Sequence, residues 1–524
     1  MAASRPPAEP RVRLRPVAPA QEIELKLAVP ASVRDALRAR LAALGRGTRQ
    51  RLDTTYYDTA DLLLARHGMA LRLRRAGSRW WQTLKTGAAQ RAFSVRGEWE
   101  TAVPGGRLQP ARLRDSPLPA LLAAHGRPRL QPLFSTRFVR EVRLVSVGKS
   151  QVEVALDLGE IVAGRGRTAR RLPLSELELE LKGGKPRALF RLARALMAGE
   201  DGPPLPLVAF TESKAARGHR LHAGAPAQPL KASAKGFVAA LRAGQSADHA
   251  LRRVIGHGVE VLLANAQGIG IAATAAADPE FVHQARVALR RMRSTVRLWR
   301  KHSRFPRRLA DELRWIGRAL GAARDADVLV TQTLPQLRAS LPPGHEQALA
   351  ALVAAAQARR EAAADAARDV LASARFARLA LDVLAWAHDA GDNESAPLRK
   401  LAPRQLARAL ARLRDAARFF AALSPARRHA VRILAKRLRY ALDLYAVALP
   451  AAPAAAYLDR LSHLQDLLGE LNDTAVAHAT LGDLGAPAAL RAALAASLVA
   501  REAAAVRAAE AALDALFALP PPWT

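Results

Sequence analysis

Residues 22–27 alternate strictly between charged and apolar side chains, which is the two-residue period of a half-buried β-strand. The three charged residues, Glu22, Glu24 and Lys26, therefore share one face, and three apolar residues share the other. Two carboxylates one pleat apart repel each other, and a divalent cation would remove that penalty because hard cations take oxygen ligands. The hexapeptide alone also fits a solvated strand face, so the other strands must decide.

Similar patterns continue as far as about residue 220, and their charges are sorted by sign. Glu178 and Glu180 repeat the acidic spacing, whereas Arg72 and Arg74 form a basic pair. Besides the first strand, we expect strands at 50–58, 70–75, 80–86, 95–103, 134–147, 151–158 and 177–182. A solvated surface normally intersperses the two signs. Such strands can close into a barrel whose charges line the lumen, with cations on the acidic wall and phosphate oxygens on the basic wall. Charges facing outward over an apolar core are the structural alternative.

The ordered motifs resemble the CYTH domain of the triphosphate tunnel metalloenzymes, and most of all their bacterial inorganic triphosphatases. Glu-Ile-Glu-Leu-Lys at 22–26 is similar to the ExExK signature, and further similar segments are 56–59, 71–74, 83–85, 132–140, 151–160, 176–181 and 213–218. The resemblance covers residues 21–222. It implies an eight-stranded antiparallel tunnel that hydrolyses inorganic triphosphate to diphosphate and phosphate with Mg²⁺ or Mn²⁺.

The resemblance also implies a role for each charged residue of the tunnel. The implied metal ligands are Glu22, Glu24, Asp157, Glu178 and Glu180. The implied catalytic residues are Glu22, Glu24, Lys26, Glu98, Glu153 and Asp157, of which the last three help a second metal or orient the attacking water. The implied triphosphate-binding residues are Lys26, Arg72, Arg74, Lys85, Arg96, Arg137, Lys214 and Arg217. Metal-held phosphates and a positioned water need no covalent nucleophile.

Other functions remain open for the tunnel. Its substrate could be thiamine triphosphate, or ATP with cyclisation to cyclic AMP as in class IV adenylate cyclases. Alternatively, the tunnel could be degenerate and the whole chain could serve as an adaptor on polyphosphate granules. The intact set of acidic residues favours an enzyme over an adaptor.

The composition indicates a polyanionic partner. Lys and Arg number 81 against 46 acidic residues, a formal net charge of +35 over 524 residues. The absence of cysteine excludes disulfide and thiol chemistry and fits the cytoplasm, the location that we expect, with association with polyphosphate granules as a further expectation. Residues 1–20 lack the apolar segment of a secretory signal. Their content of Pro and Arg predicts a disordered basic arm. No apolar run is long enough to predict a membrane span.

Strand alternation ends at residues 223–232, a stretch of linker composition. Residues 233–519 are rich in Ala, Leu and Arg at helical spacing, and 520–524 form a tail. Residues 283–293 are similar to 429–439 at an offset of 146, and a later pair is offset by 148, which predicts a duplicated unit of several helices. We therefore expect a multidomain α+β protein, an eight-stranded antiparallel β-tunnel followed by an all-α duplicated helical bundle.

Each repeat carries a basic stripe of His, Arg at +3, Arg or Lys at +7 and Arg at +10 near one helix face. Like charges at this spacing repel and need an anion, and pseudo-symmetry could bring the two stripes together. The repeats resemble the CHAD domain, the conserved histidine α-helical domain, which implies polyphosphate binding by His283, Arg286, Arg290, Arg291, Arg293, His429, Arg432, Lys436, Arg437 and Arg439. Asp325 and Asp473 either hold the arginines or are helix-end charges. Nucleic acid is the rival ligand, but it is not expected because few aromatic residues are available to stack bases.

Overall fold

The computed structural model of the protein describes residues 20–87, 91–199, 202–271, 278–389 and 395–523, without the side chains of residues 20, 271 and 475–480. The predicted basic arm over 1–20 lies outside the described residues except for the backbone of residue 20. The chain divides into two compact units, Met1–Gln228 and Pro229–Thr524. The domain limits predicted above, with a linker at 223–232, stay predictions.

Within the described residues of the first unit, eight antiparallel strands close into a barrel in the order β1-β5-β4-β3-β2-β6-β7-β8. The strands are β1 (Ala20–Ala28), β2 (Thr48–Asp58), β3 (Met69–Ala76), β4 (Arg79–Thr86), β5 (Phe93–Val103), β6 (Gln131–Val147), β7 (Ser150–Ala163) and β8 (Arg170–Gly183). The helices are α1 (Arg34–Ala43), α2 (Leu63–Arg66), α3 (Leu118–Ala124), α4 (Arg187–Ala198) and α5 (Lys214–Ala223). The predicted eight-stranded antiparallel tunnel is thereby confirmed.

The alternation in β1 directs charges into the barrel and leucines to its outer side. Glu24 and Lys26 line the interior cavity, while Leu25 and Leu27 are fully buried on the opposite face of the strand. Helix α4 covers part of that outer side, because it packs against β1, β6, β7 and β8. Burying each leucine in this layer stabilises the fold by about 1.5–3 kcal/mol. The barrel is thus held by an apolar outer layer, and the alternative with outward-facing charges is wrong.

The regular elements of the second unit are helices. Its helices are α6 (Ala234–Val238), α7 (Ala247–Ile271), α8 (Pro279–Leu298), α9 (Arg307–Val328), α10 (Leu334–Ala339), α11 (Glu346–Ala372), α12 (Ala374–His388), α13 (Leu398–Ala416), α14 (Pro425–Tyr445), α15 (Ala451–Asp483) and α16 (Ala488–Ala518). In the first repeat α8 packs against α7 and α9, and α9 against α11; in the second, α13 to α16 pack in succession. This confirms the duplicated helical bundle.

The two repeats meet where α8 packs against α14. Trp299 and Tyr445 stand 146 positions apart, at equivalent places in the repeat, and both are completely buried. Nε1–H of Trp299 donates a hydrogen bond of 2.8 Å to the hydroxyl of Tyr445. Equivalent residues of two repeats can contact each other only near the pseudo-twofold axis that relates them. The axis therefore passes close to this pair.

Further along, Trp523 of the predicted tail is buried and its ring centroid lies 5.2 Å from that of Tyr457. Across the described ranges, no helix combines the length and the apolar character needed to cross a membrane.

Candidate active site and anion-binding surface

The charged strand faces of the first unit line a cavity of about 650 Å³. The predicted residues that line it are Glu22, Glu24, Lys26, Arg72, Arg74, Lys85, Arg96, Glu98, Glu153, Glu178, Glu180 and Lys214. Asp157 and Arg217 do not line it, but each makes an ion pair with a residue of the same network. One fold thus brings together residues that are spread over almost 200 positions of sequence.

Three glutamates of neighbouring strands stand side by side on the acidic wall. Glu24 of β1 is directly opposite Glu180 of β8, and Glu180 is directly opposite Glu153 of β7. Like charges in opposed positions destabilise a sheet. Burial raises the pKa of Glu180 and the charges of Glu22 and Glu153 add to the rise, although Lys182 opposes it. This row, which we call the glutamate row, therefore carries negative charge that its protein neighbours balance only in part.

Glu22 lies beside the row and is paired with bases from the next strands. Nζ of Lys85 donates to both carboxylate oxygens of Glu22, at 2.6 and 2.7 Å. Burial alone would raise the pKa of Glu22, but Lys85 and Arg96 outweigh it and lower the pKa. Glu24 is contacted by Arg96 and, at 3.4 Å, by Nζ of Lys26. The carboxylate of Glu22 is therefore held in its charged form inside the barrel.

A second acidic group surrounds Lys214, the first residue of α5. Its Nζ lies 2.8 Å from Asp157 and 2.7 Å from Glu178, and it also contacts Glu176. Burial would lower the pKa of Lys214, but the three carboxylates outweigh it and raise the pKa. The three acids approach within 4.8 Å of one another, close enough to share a metal ion. They already share an ammonium, however, and Arg140 donates to Asp157 and Glu178 as well.

The basic wall is formed by Arg72 and Arg74 of β3 and Lys85 of β4. Arg74 donates to Glu100 at 2.9 Å, and Arg72 lies 3.7 Å from Glu98. The Nε–H groups of both arginines are buried, and among the described residues they have no hydrogen-bond partner. Buried donors normally find acceptors, and phosphate oxygens accept strong hydrogen bonds from guanidinium groups. The wall is therefore suited to an oxyanion.

The prediction for Arg137 is wrong, because its side chain lies outside the barrel. On β6 the alternate residues Thr136 and Phe138 line the cavity, so Arg137 faces the other way and is exposed. It stands opposite Asp53 on one side and Glu160 on the other, which explains a cation there. Its predicted place in the lumen is taken by Arg140.

Sequence reasoning also missed two acidic residues of this charged network, although both have readable signals. Glu176 continues the alternation of Glu178 and Glu180 by one more step towards the start of β8. It is 1% exposed and bonds to Arg217. Glu100 continues the spacing of Glu98 in the same way. These additions make the interior a nearly balanced set of acids and bases.

In the second unit, the two basic stripes come together as pseudo-symmetry suggested. Arg286 and Arg290 of α8 and Arg432 of α14 are close enough to Lys436 to lower its pKa by repulsion. Burial is the largest cause, and together they lower the pKa of Lys436 to about 7. Asp473 is a carboxylate that opposes this shift. The junction of the repeats is therefore a partly buried group of cations with little compensating charge.

Asp325 and the histidines lie at the ends of this group. Asp325 is 3.8 Å from Arg286, so it holds one arginine weakly. Burial lowers the pKa of His283, as do Arg324, Arg290 and Arg286. Nδ1 of His429 lies 2.8 Å from the side-chain oxygen of Asn472.

Arg291 and Arg437 project away from the stripes, because each lies one residue further round its helix, by about 100°. Arg291 donates to Asp443 at 3.0 Å and to the carbonyl of Ala232 at 3.1 Å. This corrects its predicted role, since an arginine held by a carboxylate and a carbonyl is a structural ion pair. Arg439 is also engaged, donating to the side-chain oxygen of Gln465 at 3.1 Å.

Comparison with known proteins agrees with this architecture. The family model of the CYTH domain matches residues 20–202, and that of the CHAD domain matches residues 253–482. An inorganic triphosphatase of Haemophilus influenzae is 34% identical over 206 residues, which is 38% of this chain and 55% of that protein. The chain thus spans about half the length of this curated relative.

Two solved structures are similar to separate parts of the chain. The CHAD domain from the plant Ricinus communis is 30% identical, with a TM-score of 0.45, covering 56% of this chain and 98% of that one. A putative adenylyl cyclase from Hippeastrum, described as having a dominant triphosphatase activity, is 21% identical, with a TM-score of 0.27, covering 39% of this chain and 96% of that one.

Proposed function

Because the chain belongs to the CYTH–CHAD proteins, with a CYTH domain followed by a CHAD domain, we propose that its tunnel hydrolyses inorganic triphosphate to diphosphate and phosphate. The CYTH family implies a divalent metal, and we propose Mg²⁺ or Mn²⁺. The similar triphosphatase of Haemophilus influenzae supports a hydrolase. The CHAD domain, we propose, binds inorganic polyphosphate.

The observation that carries the tunnel proposal is the pair of opposed walls. The glutamate row lies on β1, β8 and β7, whereas Arg72, Arg74 and Lys85 lie on β3 and β4. Triphosphate with its cation has both signs of charge and would satisfy both walls at once. An organic cation would leave the basic wall without a counter-charge, whereas phosphate oxygens would give the buried Nε–H groups of Arg72 and Arg74 charged acceptors.

The donor chemistry of the glutamate row fits a hard divalent cation. Carboxylate oxygens are the ligands that Mg²⁺ takes, one or two from the protein and others from substrate phosphates. We propose that Glu22, Glu24, Glu180 and Glu153 hold it, with Asp157 and Glu178 completing the set only when Lys214 and Arg140 release them. When bound, the ion neutralises charge on the phosphoryl oxygens.

The other side chains orient the substrate and exclude water. Arg72, Arg74 and Lys85 would hold phosphate oxygens. Lys26, whose buried Nζ lies 3.4 Å from Glu24 in the same cavity, would add a further cation for them. A water positioned by Glu98 or Glu153 attacks the terminal phosphorus, the bond to the bridging oxygen breaks, and diphosphate leaves. No covalent nucleophile is needed.

The test is phosphate release from tripolyphosphate with Mg²⁺ or Mn²⁺, in wild type and Glu24→Gln. We expect the variant to lose at least about tenfold to a hundredfold in activity, in the range found for groups that support a metal. The matched control is Glu160→Gln, because Glu160 pairs with Arg171 on the exposed side of the barrel. Full activity of Glu24→Gln would refute the site. Thiamine triphosphate and ATP, with products separated by chromatography, test the alternative substrates.

The polyphosphate proposal rests on the cations gathered at the junction of α8 and α14. Their mutual repulsion is removed when phosphate oxygens bind between them. The test is competition between polyphosphate and RNA for the intact protein at several salt concentrations, since salt weakens both but the weaker ligand is lost first. Retention of RNA and loss of polyphosphate at physiological salt would contradict the proposal.

A further inference from the structure

The pseudo-twofold axis relates an ion pair on one side of the helical unit to a pair of like charges on the other. Arg291 of α8 pairs with Asp443 of α14 at 3.0 Å. Adding the offset of 146 to Arg291 gives Arg437, and subtracting it from Asp443 gives Arg297. The two repeats differ at this position: the first has Arg-Leu-Trp at 297–299, and the second has Asp-Leu-Tyr at the equivalent residues 443–445. An arginine thus stands where strict symmetry would supply a carboxylate.

The symmetry that pairs Arg291 with Asp443 places Arg297 opposite Arg437. Burial lowers the pKa of Arg437, and repulsion from Arg297 and from Arg412 of α13 lowers it further. In the described part of the chain, none of these three arginines makes an ion pair, and all three are exposed. Their repulsion is therefore uncompensated by protein and directed towards solvent.

Arg293 connects this group with the basic stripe. Burial lowers its pKa, and so does repulsion from Arg297, Arg314, Arg318 and Arg286. Its guanidinium lies against the backbone of α9 at Gly317, where an added β-carbon would be 3.2 Å from Nη1. Positions 283, 286, 290, 293 and 297 form one line along α8, about 21 Å long at 1.5 Å per residue. The cations therefore continue without interruption past the motif.

The cations around Lys436 (Arg286, Arg290 and Arg432) are called the motif cluster. We propose that Arg297, Arg437 and Arg412, with Arg293 beside them, form a second anion subsite that binds phosphate groups of a linear polyanion too long for the motif cluster alone. The inference rests on the proposed binding of polyphosphate by the helical domain. Linear phosphate chains suit the site, because their charges repeat along a line as the arginines do, and they need no aromatic residues for stacking.

The test compares wild type with Arg297→Asp in the intact protein. The substitution recreates in this half the ion pair of the other half, so it should raise the midpoint of thermal unfolding of the unliganded protein. The same substitution should weaken long-chain polyphosphate binding about tenfold or more, since two charge-assisted contacts are lost. Tripolyphosphate binding at the motif cluster should change by less than the long-chain affinity. Stability and affinity thus move in opposite directions, which a purely structural arginine would not produce.

Arg359→Asp is the matched control, because Arg359 is an exposed arginine of α11 with the same change of charge. Arg297→Gln removes the cation without creating an ion pair and should weaken binding with little effect on stability. If Arg297→Asp binds long-chain polyphosphate as Arg359→Asp does, the subsite is refuted while polyphosphate binding stands. If it loses both stability and affinity, the arginine is structural and the subsite is also refuted. Failure of wild type to bind polyphosphate overturns the proposed function together with the subsite.

Discussion

Replacing Lys436 by arginine is expected to remove a pH dependence from the proposed polyphosphate binding. Lys436 faces Arg432 on its own helix and Arg286 and Arg290 on α8, with Asp473 of α15 as the opposing carboxylate. Burial, followed by Arg432 and Arg290, lowers the pKa of Lys436 to about 7. In the other repeat the equivalent position is Arg290. Arginine stays charged at any pH at which the protein is folded, so only one of the two positions titrates.

The sign follows from the charge of the ligand. A bound polyanion favours the ammonium and raises the pKa of Lys436 towards its ordinary value of 10.5. Below pH 7 the amine of Lys436 is already protonated in the free protein. Above pH 7 it must take up a proton when the polyanion binds. Affinity therefore falls as pH rises, by at most about tenfold per pH unit. Because the side chain is partly exposed, screening by solvent reduces the effect to about threefold to fivefold per unit.

The assay is calorimetric titration with long-chain polyphosphate from about pH 6 to about pH 9 in two buffers that differ in heat of ionisation. Above about pH 7, wild type should bind more weakly at each higher pH and take up protons, whereas Lys436→Arg should bind with nearly constant affinity and take up fewer. Arg290→Lys adds a second titratable cation and should steepen the dependence. Equal pH dependence in wild type and Lys436→Arg would refute this reasoning, because the remaining dependence would belong to the ligand.

Three further substitutions test the fold. Lys214→Met leaves three buried carboxylates without their shared cation and should cost about 3–5 kcal/mol in urea unfolding, with part regained at lower pH as the carboxylates protonate; an undiminished free energy of unfolding would contradict this. Gly159→Ala should cost at least about 2 kcal/mol because its β-carbon would lie 2.1 Å from a backbone oxygen of β6, whereas Gly183→Ala has open space and should be neutral. Trp299→Phe loses the donor to Tyr445 and should cost about 1–3 kcal/mol, and a neutral result would show that the hydroxyl finds another donor.

The strands could be predicted from sequence because charge and leucine alternate along each one. In β3 the alternate charged positions are both arginine, and in β1 and β8 two glutamates precede a lysine on the same face, so the period and the inward face are both legible. β6 shows where that signal fails. Its inward residues include Thr136 and Phe138, and charges occur on both faces, so the pattern does not distinguish Arg140, which lines the cavity, from Arg137, which the resemblance implies. The folded barrel shows that Arg137 is on the outer face, because Thr136 and Phe138 line the cavity and Arg137 is exposed opposite Asp53 and Glu160.

The pairing of charges in the tunnel could not be predicted, because it depends on strand order. β4 and β1 are distant in sequence, but in the barrel only β5 lies between them. Lys85 of β4 can therefore reach across β5 to Glu22 of β1. The same limit applied to the helical repeats. Their basic stripes were legible, but the opposition of Arg297 and Arg437 follows from how α8 crosses α14. Alignment of the repeats shows that Arg291 and Arg437 are equivalent positions. It does not show that Arg291 has a carboxylate partner, Asp443, whereas Arg437 makes no ion pair within the described residues.

The two domains use the same physical device with opposite outcomes in the unliganded protein. In the tunnel, acids and bases neutralise each other, so the proposed binding of triphosphate and its cation requires Lys85 and Glu22 to separate in part. In the helical domain the cations at Lys436 and Arg437 lack sufficient carboxylates, so repulsion is present before any ligand arrives. Binding in the tunnel is therefore an exchange of ion pairs, which favours a ligand that brings both signs of charge. The proposed binding on the helices is the relief of repulsion, which a phosphate chain of sufficient length would supply without a metal.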